Sequence, residues 1–316
     1  MKAVWLENNR LDLREVAQPD KPGEALIRVR QAGICSTDLE LVKGYYPFTG
    51  IPGHEFIGEV VAADDPAWIG QRVVADINVV CGACEQCLSG RSTHCEKRTV
   101  LGIANRDGVF AEYTRLPLSN LHRVPASVPD EMAVFTEPLA AALEIQQQVH
   151  IRPTERVLLV GAGRLGQLIA QTLALTGCDL RVLARHSHQQ NLLAARGIKT
   201  ISEEDIQPWR WDVVVEATGS PDGFRLARRA IRPRGTLVMK STYKGEMAVN
   251  FSSIVVDEIQ VVGSRCGPFE PALRLLEKKE VDPSVLVAAE FKLGEALQAF
   301  EHAAQPGVLK VLVTPP

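Results

Sequence analysis

A chain of 316 residues, 46% apolar and 23% charged, has the composition of a soluble globular protein, and its length suits two domains or, less well, one large α/β domain. A net charge of −3 and a pI near 6.2 exclude a nucleic-acid partner held by bulk electrostatics, and no apolar run reaches the roughly 18 residues that a membrane helix needs. The opening MKAVWLENNRLDL lacks the charged and apolar regions of a secretory signal, so a cytoplasmic location is expected, where clustered cysteines bind metal more often than they pair.

The first third of the chain reads as short strands broken by Gly and Pro. ALIRVRQAGI, FIGEVVAA, QRVVADINVV, FAEYTRL and LHRVP are strand-length, β-branched runs at close spacing, which suggests a barrel-like or sandwich domain. Two of its segments carry isolated functional side chains: Cys35 in GICSTDLEL, then His54 and Glu55 in GIPGHEFIGEV. Between them, Tyr45, Tyr46 and Phe48 of KGYYPFTG either line a pocket or pack their own loop.

Further along, CGACEQCLSGRSTHC holds four of the seven cysteines. The spacing of Cys81, Cys84, Cys87 and Cys95 suits four thiolates around one tetrahedral zinc ion, and Gly82 and Gly90 let the loop fold back. A disulfide staple fails on compartment. A thioredoxin-like motif fails because four thiols are present and no helix-opening C-x-x-C follows a strand. Four protein ligands leave no open position, so this metal is expected to be structural.

The character changes after Glu137, which opens the helical stretch PLAAALEIQQQVH. Strand and helix patterns then alternate: RVLLVGA, GRLGQLIAQTLALTG, LRVLA, HQQNLLAARG, DVVVEATG, the helix GFRLARRAIRPRG with its Pro-Arg-Gly stop, TLVMKS and EIQVVGS. This is the series of a doubly wound parallel sheet. Two helices, FEPALRLLEKKE and LGEALQAFEHAAQ, and a strand, LKVLVTP, close the chain.

VLLVGAGRLGQLIA sets Gly161, Gly163 and Gly166, with Ala162, Arg164 and Leu165 between them, after a strand and before a helix. In that context G-x-G-x-x-G reads as a dinucleotide site: a tight turn, a backbone approach to the pyrophosphate, and close helix–strand packing. The second strand ends in Ala184, Arg185, His186, Ser187 and His188, without the acid that binds a ribose 2′-hydroxyl in NAD sites. Arg185 suits a 2′-phosphate, with His186 and Ser187 assisting, so NADP is favoured over NAD. A lone Cys or His is usually a core residue. Beside a dinucleotide turn, however, Cys35, His54, Glu55 and Glu137 form a candidate catalytic zinc site with S, N and O donors and an open position. Sequence spacing alone does not bring them together.

GICSTD, GHEFIGEV, the four-cysteine lobe, EPLAAAL, VGAGRLG, VVVEATGS and LKVLV together resemble the zinc-dependent alcohol dehydrogenases of the medium-chain dehydrogenase/reductase superfamily, over essentially the whole chain. The closest likeness is to the sorbitol and threonine dehydrogenase-like branch. The resemblance implies a GroES-like β-rich catalytic domain (1–138, with 266–316 returning to it) enclosing a Rossmann domain (139–265). It implies a catalytic zinc on Cys35 and His54, with Glu55 or Glu137 completing the shell in turn with water. Asp38 would orient the His54 ring, and Thr37 would pass the substrate proton towards the nicotinamide ribose. Many relatives carry His where this chain has Glu40, so the outer end of that relay departs from the pattern. Thr218, Gly219, Arg265 and Lys310 match positions that approach the nucleotide.

The expected reaction is hydride transfer between NADP(H), or NAD(H), and an alcohol or polyol or its aldehyde or ketone, in a homodimer or homotetramer. A zinc-free enone or quinone reductase of the same fold would lack both metal sets. A non-catalytic NADP- and zinc-binding protein would not need the intact catalytic set.

Overall fold

ALIRVRQAGI forms β1 (Ala25–Ile34), whose last four residues are buried on both faces, as a central strand requires. Cys35 then caps α1 (Ser36–Val42). Antiparallel to β1 runs β2 (Glu55–Ala62), in a register that sets Gly33 opposite Glu55. Strands β3 (Arg72–Ala75), β4 (Tyr113–Leu116) and β5 (Leu121–Arg123) extend this sheet, β4 pairing with the start of β1. The cysteine lobe lies between β3 and β4, and α2 (Thr136–Gln148) follows β5, with Glu137 in its first turn. These coordinates are a computed structural model describing residues 1–242 and 245–316.

Six parallel strands follow: β6 (Arg156–Val160), β7 (Asp179–Leu183), β8 (Thr200–Ile201), β9 (Trp211–Glu216), β10 (Ile231–Met239) and β11 (Gln260–Gly263). They are ordered β8-β7-β6-β9-β10-β11 and interleaved with α3 (Arg164–Ala174), α4 (Ser187–Ala194), α5 (Pro221–Ala230) and α6 (Phe251–Val256). This is the doubly wound order of a Rossmann sheet, with β6 at the point where the winding reverses. The helix expected through Pro233 ends earlier, at Ala230. Ile231 is fully buried in the core with Leu237 and Ile259, and its extended backbone (ψ 135°) starts β10 directly. A register shift against β9 accommodates the Pro-Arg-Gly segment, where Arg234 has φ 60°.

The glycine turn joins β6 to α3. Gly161 sits at φ 109°, and a Cβ there would come 2.9 Å from the Ala217 carbonyl oxygen. A Cβ on Gly166 would lie 2.2 Å from the Gly161 carbonyl oxygen, so only glycine allows α3 to start this close to β6. Gly166→Ala is expected to cost about 1–3 kcal/mol of stability through overpacking against backbone. A thermal melt and NADPH titration check this; wild-type values for both would show that the turn relaxes freely.

After this sheet the chain returns through α7 (Phe269–Glu277), β12 (Val287–Lys292), α8 (Ala296–Ala303) and β13 (Lys310–Thr314). β12 runs parallel to β13, and β13 pairs antiparallel with β1, setting Leu312 opposite Gly33. The seven-stranded sheet is therefore ordered β12-β13-β1-β2-β3-β5, with β4 also on β1. By contact density the chain divides into Met1–Glu137 with Phe269–Pro316, and Pro138–Pro268.

Candidate active site and metal centres

The register of β1 and β2 assembles the first centre. Cys35 follows the end of β1, and His54 immediately precedes Glu55, the first residue of β2. The ligand atoms of Cys35, His54 and Glu55 all lie within 4.8 Å of one another, the two last side chains being almost wholly buried. Asp38, in the first turn of α1 and completely buried, serves two neighbours. Its Oδ2 accepts from the Cys35 backbone N–H at 2.8 Å, and its Oδ1 lies 3.3 Å from His54 Nδ1. Burial opposes the charged imidazolium, but the adjacent Asp38 carboxylate, with help from Cys35, holds His54 well above its ordinary pKa of 6.5.

Glu55 is divided between two roles. Its Oε2 is ion-paired with Lys310 Nζ inside the protein, and the ammonium sits 5.4 Å from the centre of the Phe135 ring. Its Oε1 is buried and has no hydrogen-bond partner among the described residues. A thiol, an imidazole and a carboxylate oxygen thus converge with one buried oxygen unmatched, and this donor set fits a zinc ion with room for a further ligand. Gly33 makes the pair sterically possible: a Cβ there would meet Glu55 Oε2 at 2.8 Å and Lys310 Cδ at 3.3 Å. Lys310, expected at the nucleotide, is 3% exposed with its charge matched by Glu55, so it belongs to the metal surroundings instead.

Glu137 stands outside the close ligand set but within its electric field. Burial pushes its carboxyl up to about 7; His54 and Lys310 pull against that shift, while Glu55 and Asp76 reinforce it. Thr37 Oγ1 is 3.8 Å from Cys35 Sγ. Glu40, at the departed relay position, accepts from Lys43 Nζ at 2.8 Å on the surface.

The second centre is the cysteine lobe. Cys81, Cys84, Cys87 and Cys95 form a set within 4.8 Å, with Sγ–Sγ distances of 3.5 Å (Cys84–Cys87 and Cys81–Cys95) and 3.8 Å (Cys84–Cys95). A tetrahedron of sulfurs about 2.3 Å from a central zinc has edges of about 3.8 Å, so the four thiols fit a closed metal shell. Their protons are unevenly held. Backbone N–H groups of Cys87 and Glu96 draw Cys84 down to about 6, whereas desolvation and the adjacent sulfurs push Cys87 up to about 12.

In the dinucleotide unit, the positions expected to meet the cofactor gather at the carboxyl ends of the strands. The Gly161 N–H donates to the Leu183 carbonyl at 3.2 Å, tying the glycine turn to the end of β7. A Cβ on Gly163 would meet no described protein atom within 4 Å, which leaves space for a pyrophosphate beside Ala162, Arg164 and Leu165 at the start of α3. Arg185 follows β7, His186 caps α4 and Ser187 begins it. Thr218 is fixed by Glu216, whose Oε1 accepts from its backbone N–H at 2.7 Å and its hydroxyl at 2.6 Å. Gly219 N–H donates to Ser241 Oγ at 2.8 Å, and the Arg265 carbonyl accepts from Lys240 Nζ at 3.0 Å.

Two ion pairs near these sites are not legible in the sequence. The Glu55–Lys310 pair joins residues 255 positions apart, and only strand order reveals it. Glu203 lies against Arg185, at 3.1 Å, although the end of the second strand itself carries no acid; the run Glu203–Glu204–Asp205 after β8 was the available signal.

Residues 21–126 match the family described as the alcohol dehydrogenase GroES-like domain. Across 92% of its length the chain is 32% identical to the sorbitol dehydrogenase of Halalkalibacterium halodurans, covering 91% of that protein. It is 31% identical to the erythritol/L-threitol dehydrogenase of Mycolicibacterium smegmatis, over 90% of this chain and 88% of the other. A crystal structure from Sinorhizobium meliloti 1021, of a protein assigned as a zinc-binding dehydrogenase and bound to NADP, superposes with a TM-score of 0.91 at 29% identity over 99% of both chains.

Proposed function

The chain belongs to the zinc-dependent alcohol dehydrogenases of the medium-chain dehydrogenase/reductase superfamily, and from that premise we propose that it is an NADP-preferring polyol dehydrogenase. Hydride transfer between a nicotinamide cofactor and an alcohol or its carbonyl is the activity of this family, and two relatives named for sorbitol and for erythritol or threitol support a polyol as the substrate. The observation that carries the reading is the convergence of Cys35, His54 and Glu55 ligand atoms within 4.8 Å, with Glu55 Oε1 buried and unmatched among the described residues.

In this reading Cys35, His54 and Glu55 hold the catalytic zinc, and Cys81, Cys84, Cys87 and Cys95 hold a structural one. Bound zinc supplies Lewis acidity that lets a hydroxyl ionise near neutral pH. Asp38 fixes the orientation of His54 through Nδ1, leaving the other ring nitrogen for the metal. Lys310 holds one oxygen of Glu55 and leaves the other for ligation. Thr37, beside Cys35, takes the substrate proton. Glu137, buried within the field of His54 and Glu55, is the second carboxylate that can complete the shell in turn with water. Across the dinucleotide unit, Gly161, Gly163 and Gly166 admit the pyrophosphate, Thr218, Gly219 and Arg265 line the nucleotide, and Arg185, with His186 and Ser187, receives the 2′-phosphate.

The catalytic domain is residues 1–138 with 266–316, and the dinucleotide domain 139–265. Among the described residues no helix is long and apolar enough to cross a membrane; a cytoplasmic homodimer or homotetramer completes the proposal. The test is metal analysis of purified protein together with oxidation assays across polyols and simple alcohols with NADP and NAD. About two zinc per chain and polyol turnover faster with NADP are expected. One zinc per chain with no turnover would remove the catalytic assignment.

A further inference from the structure

Arg185, the candidate partner of the 2′-phosphate, is already engaged by Glu203. β7 and β8 are parallel neighbours, with Leu183 opposite Ile201. Arg185 and Glu203 each lie two residues beyond those partners, so the register delivers them to the same edge of the sheet, where Arg185 Nη2 donates to Glu203 Oε2 at 3.1 Å. The end of β7 is also where the glycine turn is tied down. Both side chains are more than half exposed, 64% and 52%, so the pair contributes little to stability. Its effect falls on whatever ligand reaches Arg185. Of the neighbouring acids, Asp205 is engaged by the Ser202 hydroxyl at 2.6 Å.

In dinucleotide folds an acid after the second strand accepts a hydrogen bond from the ribose 2′-hydroxyl of NAD, and its charge repels the 2′-phosphate of NADP. After β7 this chain has Ala184, Arg185, His186, Ser187 and His188, and no acid. We infer that Glu203 is the missing acid, supplied from the third strand of the sheet instead of the second, and that it sets how far the enzyme discriminates between NADP and NAD. This rests on Arg185 being the 2′-phosphate partner. With NADP, the phosphate displaces Glu203 from Arg185 and still feels its negative charge nearby. With NAD, the 2′-hydroxyl donates to the Glu203 carboxylate, which Arg185 holds in position. Arg185 alone would make a strongly NADP-selective site; the pair makes a site that accepts both cofactors with a moderated preference.

The test is equilibrium binding of NADPH and NADH to the zinc-loaded wild type, Glu203→Gln and Arg185→Ala. The sites are exposed, so both variants are expected to melt with the wild type. For Glu203→Gln, NADPH binding is expected to tighten about tenfold, as removal of one solvent-screened like charge a few ångströms from a dianion implies, and NADH binding to weaken. Arg185→Ala should weaken NADPH far more than NADH. If Glu203→Gln leaves the NADPH-to-NADH ratio within about twofold of wild type while Arg185→Ala lowers it, the role of Glu203 is refuted and the 2′-phosphate reading stands. If Arg185→Ala moves both cofactors equally, both assignments fall.

Discussion

His54→Ala is expected to lower kcat on the order of a thousandfold or more while NADPH binding stays within about twofold of wild type. His54 supplies the nitrogen of the Cys35–His54–Glu55 set, and it is packed between Cys35 and the fully buried Asp38. Alanine removes a ligand and leaves the Asp38 oxygen facing it without its neighbour, so the metal is lost along with the orientation of what remains. The nucleotide residues lie in a different compact unit and keep their own hydrogen bonds. Zinc content should therefore fall from about two to about one per chain, the remaining ion being the one held by the four cysteines. Two retained ions and normal turnover would mean that the reaction is carried by other residues.

The second large effect is expected from Lys310→Met, which keeps most of the side chain's volume and deletes its charge. Glu55 is 1% exposed, and its partner is removed from beneath it. Breaking one side of a buried ion pair typically costs about 3–5 kcal/mol, because the surviving charge has neither water nor a counter-ion. The loss should be largest in metal-depleted protein and smaller once zinc is restored, since a cation at the other carboxylate oxygen takes over part of the compensation. Thermal unfolding with and without added zinc reads this out. A variant as stable as wild type in metal-depleted form would show that Lys310 does not stabilise the buried Glu55.

The sequence is most informative where chemistry is local. Four cysteines within one loop, and three glycines between a strand and a helix, declare themselves by spacing, because a metal shell and a tight turn are each built from a single short segment. The alternating strands and helices of the Rossmann sheet are equally legible, since each has a period or length of its own. The candidate active centre is different in kind. Cys35 belongs to the end of one strand and His54 to the start of the next, and only the antiparallel register of β1 on β2 makes them neighbours. Here the family resemblance proposes what spacing withholds. It also carried Lys310 to the nucleotide, whereas pairing of β13 with β1 turns that side chain to Glu55. The premature end of α5 has a comparable cause: burial of Ile231 in the sheet core outweighs the helical composition that precedes it.

Gly33 lies on the middle strand of three, with Glu55 approaching from β2 and Lys310 from β13. That arrangement imposes an order on the life of the chain. Glu55 leaves the ribosome 255 residues ahead of the lysine that neutralises it, an interval of about 13–50 s at ~5–20 residues per second. Throughout that interval the nascent first sheet holds a gap beside β1 and a carboxylate without its cation, while the whole dinucleotide unit is synthesised and free to fold. Insertion of β13 closes the sheet and matches the charge in one event. A chain cut short before residue 310 would carry Cys35, His54 and Glu55 but not the strand or the lysine that match Glu55.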